Sequence, residues 1–72
     1  MNEKQARLII ALADNNMNVV ATANQLFFHR NTVSYQLSKL RKQTGKDPTN
    51  FYDLCELVPI ARAVLDKADR GN

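Results

Sequence analysis

Apolar residues recur at three- and four-residue steps along most of this chain, and only two Gly and two Pro interrupt them. A β-branched alternation is lacking, so helices joined by short turns are the default reading. Length sharpens it. A chain of 72 residues supports one core and not two, since at this size only about 60% of the unfolded surface is buried on folding. The expectation is a single all-α domain over residues 1–72, with no room for a deep catalytic cleft.

The spacing predicts a first helix over Glu3 to Asp14, with Ala6, Ile9, Ile10, Ala13 and then Met17 on one side. Asn15 and Asn16 stop it, because Asn tolerates the left-handed conformation that ends many helices. Asn18 is placed to cap a short second helix that ends near Leu26, striped by Val19, Val20, Ala23 and Leu26. A third helix is expected from Arg30 to about Gln43. Its inner edge is Val33, Leu37, Leu40 and Thr44, and Gly45 stands just past its end. Pro48 then breaks the chain, and Asn50 with Asp53 has the spacing of a capping pair for a fourth helix reaching about Lys67. Phe51, Leu54, Cys55, Val58, Ala61 and Leu65 line one face of it. Pro59 falls in its interior, where it removes a donor and crowds the carbonyl four residues back. A kinked single helix is the favoured outcome; two short helices, making five in all, are the alternative. Residues Ala68 to Asn72 are expected to fray.

Charge narrows the range of partners. From Asn15 to Lys46 there is no Asp or Glu, yet Arg30, Lys39, Arg41, Lys42 and Lys46 all fall there, and the formal net charge is +3. A basic cluster in mid-chain favours a polyanion, with a merely solvated basic face as the bland alternative. The single cysteine permits no internal disulfide, and no apolar run is long enough to cross a membrane, which suits a reduced, cytoplasmic setting. Cys55 reads as a small core residue. There is no nucleophile with a neighbouring base, no carboxylate pair and no Gly-rich phosphate loop, so neither an enzyme nor a cofactor is implied.

Helix two, a short turn and helix three occupy Val19 to Ser38, the size of a helix-turn-helix. Ala23 is small where the two helices approach, and Phe28, Val33 and Leu37 are placed to seal the contact. Of the Phe27–Phe28 pair, core packing is the expectation and a stacking platform for bases the alternative. His29 and Thr32 can each bond an open amide at the start of helix three. With Val33, Leu37 and Leu40 turned inward, the outer face carries Asn31, Ser34, Tyr35 and Ser38. In a major groove, Asn pairs with adenine, Arg with guanine, and hydroxyls meet bases or phosphates. Lys39, Arg41, Lys42 and Lys46 would meet phosphates, which sets affinity more than sequence preference. Asn31 has a second reading as a helix-start residue, and Tyr35 as one lying along the helix surface. The whole basic face has a second reading as the docking surface of a helical protein-interaction module. RNA is disfavoured, since its deep, narrow groove excludes a helix.

The run ATANQLFFHRNTVSYQLSKLRKQTG, continued by DPTNFYDLCELVPIARAVL, resembles the C-terminal helix-turn-helix domain of the PucR and sugar diacid regulator (CdaR) family of bacterial transcription factors. It is more distantly similar to the Fis-type fold. The resemblance covers roughly Leu8 to Leu65, and HRNT followed by Val33, Tyr35, Leu37 and Leu40 carries it. It implies a compact, four-helix, Fis-like domain that binds double-stranded DNA, with His29, Arg30, Asn31, Thr32 and Tyr35 at the entrance of the recognition helix. It also implies a homodimer, and a longer regulator whose upstream sensory domain lies outside this chain. Two departures stand out: Phe27 occupies the turn where many such motifs have Gly, and Pro59 interrupts a stretch that is unbroken in the family.

Overall fold

A computed structural model describes residues 1–70 as four helices: α1 Glu3–Asp14, α2 Val19–Leu26, α3 Arg30–Thr44 and α4 Phe51–Arg70. Each start is fixed by a side chain that satisfies free amides. Asn2 and Gln5 form a reciprocal capping box on α1, at 2.8 and 3.0 Å. Asn18 accepts from the Ala21 amide at 2.9 Å, and His29 Nδ1 from the Asn31 amide at 3.0 Å. Asn50 accepts from the Tyr52 and Asp53 amides. The expected Asn50–Asp53 pair is only half made, because the Asp53 carboxylate accepts instead from the Asp47 amide at 3.0 Å. That bond, with Pro48 fully buried, closes the α3–α4 loop.

Helix ends follow the expected chemistry except that Met17 and Phe27, neither Gly nor Asn, are left-handed. After α1, the Asn16 amide bonds Ala13 and the Met17 amide bonds Leu12, with Asn16 at φ 55° and Met17 at φ 66°. Gly45 ends α3 at φ 74°, its amide donating to the Arg41 carbonyl at 3.0 Å. Phe27 ends α2 at φ 60° in the place where Gly is least strained.

α4 packs chiefly on α1, α2 on α3, and α1 touches all three partners. The core is Ala6, Leu8, Ile9 and Leu12 of α1, Ala23 of α2, Val33, Leu37 and Leu40 of α3, and Leu54, Leu57 and Ala61 of α4. The Cα radius of gyration is 11.4 Å, against about 11 Å for a well-packed chain of this size. Gln5 reaches across to Gln43, Nε2 to Oε1 at 2.7 Å, so even this nearly buried amide tying α1 to α3 is satisfied.

The structure corrects several expected core positions. α1 buries Leu8, Ala11 and Leu12, which the single stripe omitted, while Ile10 and Ala13 are only half-buried. A helix wedged among three others needs a wider apolar face than one against a single neighbour. Val20, Phe51 and Cys55 are exposed, and the buried line of α4 runs Leu54, Leu57, Ala61. Phe51 sits edge-on to Tyr52, ring centroids 5.5 Å apart, on the rim of a shallow apolar groove between α1 and α4. Pro59 lies on the exposed side of an α4 that runs through it as one element, so the five-helix alternative does not occur. The carbonyl deprived of its donor belongs to exposed Cys55, where water can reach it. Ala68 to Arg70, expected to fray, continue the helix; Gly71 and Asn72 lie outside the described residues.

Candidate nucleic-acid interface

α3 presents two opposed faces. At 3.6 residues per turn, Val33, Leu37 and Leu40 fall on one side, and they are 1%, 3% and 0% exposed. Asn31, Ser38 and Lys42 fall opposite them, flanked by Ser34 and Arg41 on one edge and Tyr35 and Lys39 on the other, and all seven are exposed. His29, Arg30 and Thr32 are exposed at the leading end. From Asn31 to Lys42 this face is about 16 Å long on a cylinder about 10–12 Å across, a match for a major groove about 12 Å wide.

The helix-start role falls to His29 and not to the Asn31 side chain. The Asn31 backbone amide is satisfied by His29 Nδ1, so its carboxamide is not needed for capping and is exposed. Thr32 caps nothing with its side chain; its amide donates to the His29 carbonyl at 2.9 Å and its side chain is exposed. Tyr35 is 66% exposed.

Charges follow the same polarity. Among the described residues, Arg30, Lys39, Arg41 and Lys42 form no ion pair, whereas Lys46 is held by Glu56 at 2.5 Å and its pKa is raised by that bond. Lys46, expected among the phosphate contacts, is thus committed to tying the loop to α4. One acid approaches this face: Asp47, which shares a shallow groove with Ser34, Ser38 and Arg41. Its carboxyl is held below its ordinary range by the Thr49 hydroxyl at 2.6 Å, then the Thr49 amide at 2.9 Å, with Arg41 adding to the effect.

Phe28 and Phe27 part company. Phe28 packs against the core with the Lys4 ammonium 5.3 Å from its ring centre. Phe27, expected in the core, is 94% exposed. Periodicity could not have found this, since the residue lies past the last turn of α2 and a left-handed backbone aims its side chain.

Two helices joined by the three residues Phe27, Phe28 and His29, the second helix bearing a polar outer face, define a helix-turn-helix protein. Residues 6–59 match the PucR C-terminal helix-turn-helix domain, and the chain belongs to that family, which is one of transcription regulators and not of enzymes. It is 40% identical over 47 residues to the carbohydrate diacid regulator of Escherichia coli (strain K12), an alignment covering 65% of this chain and 12% of that protein. The chain therefore spans only a small part of that relative's length. No solved structure matches it. The matched residues include all of α1, α2 and α3 from Ala6 onward, and with them each of the ten candidate interface residues.

Proposed function

We propose that this chain binds double-stranded DNA sequence-specifically, with α3 in the major groove, as the DNA-reading part of a bacterial transcription regulator. Asn31, Ser34, Tyr35 and Ser38 face the bases. His29, Arg30, Thr32, Lys39, Arg41 and Lys42 meet phosphates at the flanks, with Arg30 also within reach of a guanine edge. The observation that carries the reading is the division of α3: its polar and cationic side chains stand exposed together, opposite three leucine and valine anchors, with no acid on the helix.

The start of α3 adds to this, because the positive end of its helix dipole favours an anion. The relative's name is that of a regulator, and the segment that matches the family contains the helix-turn-helix. We further propose that this chain works within a longer cytoplasmic protein that carries a sensory domain, and that it acts as a homodimer, because one helix reads too few base pairs to stand out in a genome.

Selection of bound sequences from a random duplex pool, followed by mobility shifts at two salt concentrations, tests the reading. Enrichment of a defined sequence supports it. A pool that stays random, with binding equal on selected and scrambled duplexes, would leave only a basic docking face for a protein partner.

A further inference from the structure

The end of α2 places an aromatic residue where the backbone least favours one. The Phe27 amide bonds the Asn24 carbonyl and the Phe28 amide bonds the Ala23 carbonyl at 2.9 Å, an arrangement that requires a left-handed residue at 27. After α1 the chain meets this requirement with Asn16, followed by Met17, which is also left-handed at φ 66° but packs against the core, and after α3 with Gly45. At 27 it uses Phe, at φ 60° and ψ 36°. No packing within the domain offsets that strain, since the ring is 94% exposed and Phe28 fills the core beside it. Strain of this kind, with nothing buried to offset it, is concentrated at sites that meet another molecule.

Its surroundings say which kind. Phe27 stands two residues before the cap of α3, next in line to exposed His29, Arg30, Asn31 and Thr32, in a stretch with no acidic residue from Asn15 to Lys46. Exposed Phe51, Tyr52 and Ile60 belong to α4, which packs on α1 and not on α2 or α3. Val20, the other exposed apolar residue of α2, lies about 10 Å back along the helix with exposed Asn24 between. With Tyr35 of α3, 66% exposed, the ring is thus one of two exposed aromatic groups on this cationic surface, and the one at its leading edge. A DNA duplex presents apolar groups to such a residue in two places, the C5-methyl of thymine in the major groove and the faces of the deoxyribose rings.

We propose that Phe27 is a DNA-contacting residue, making an apolar contact with the duplex beside the bases that α3 reads. This inference rests on the DNA-binding reading above, and the test separates the two. Phe27→Gly and Phe27→Asn keep the left-handed turn and remove the ring, and Phe27→Tyr keeps the ring. Both ring-less variants melt at or above the parent temperature, since strain is relieved and no packing is lost. On the selected duplex they bind roughly tenfold more weakly, with an unchanged salt slope because no charge has been removed. Phe27→Tyr stays close to the parent. Replacing each thymine in turn by uracil then identifies the source. A loss at one position that Phe27→Asn no longer shows assigns the methyl group, and uniform insensitivity assigns deoxyribose.

Parental DNA affinity in Phe27→Gly and Phe27→Asn, while Asn31→Ala loses discrimination, overturns the role of Phe27 and leaves the reading intact. A loss seen only in self-association by sedimentation, with affinity per copy unaltered, also overturns it and makes the ring a protein contact. A parent that prefers no duplex overturns both.

Discussion

At the scale of single residues, the proposed interface would separate groups that read from groups that hold. Asn31 has a free carboxamide because His29 takes over the helix start, so Asn31→Ala is expected to reduce discrimination between selected and scrambled duplexes by about 1–3 kcal/mol. Lys42 forms no ion pair among the described residues. Lys42→Ala is therefore expected to weaken all duplexes alike and to lower the salt slope by about 1. Equal losses on both duplexes for the two variants would contradict this division. Asp47 gives a test by pH. Its carboxyl is depressed by the Thr49 hydroxyl and amide, so its contribution is present above the ordinary carboxylate range and fades as pH falls through the depressed value. Parent and Asp47→Asn should therefore converge in melting temperature in strong acid, with the parent ahead near neutrality. A constant gap across an acid titration would show that the loop does not depend on the charge.

At the scale of elements, α3 is held by few contacts, and each matters. Leu37 is 3% exposed within the core, and Leu37→Ala is expected to cost about 2–5 kcal/mol. For 72 residues total stability is on the order of 4–11 kcal/mol, so this variant should be largely unfolded at moderate temperature by circular dichroism. α4 gives the opposite case. Pro59 lies mid-helix and exposed, and Pro59→Ala restores the donor to the Cys55 carbonyl. It is expected to raise stability by about 1–3 kcal/mol in urea unfolding, below the full helix-propensity difference because proline also restricts the unfolded chain. A fall in stability would mean that α4 depends on the bend that proline imposes. These elements also show how far pattern alone reaches. The α3 faces were legible because only one side of that helix meets neighbours. In α1 and α4 the stripe was misplaced by a residue or so: Leu57 was passed over for Cys55 and Phe51, since several apolar residues compete and packing chooses among them.

At the scale of the whole molecule, extents of 31 × 26 × 19 Å limit what one copy can cover. Half-sites read by two-fold helix-turn-helix dimers lie about 34–36 Å apart, longer than the domain itself, so one copy spans one half-site. A two-fold operator then requires two copies, and selected duplexes are expected to hold inverted repeats with centres about 10–10.5 base pairs apart. Sedimentation of the complex should give two chains per duplex; a single chain on a non-repeating site would refute the dimeric arrangement.

The chain's own order of residues determined the helix starts and stops, because Asn2, Asn18, His29, Asn50 and Gly45 act through bonds to amides or through backbone freedom within a few positions. It also determined which side of α3 faces outward, a matter of 3.6-residue periodicity against one buried side. Tertiary structure alone decided that Phe27 points to solvent while Phe28 packs, that Lys46 is taken by Glu56, and that Gln5 ties to Gln43. Those outcomes depend on where separate elements meet and on how one left-handed residue aims its side chain, and neither quantity repeats along a helix.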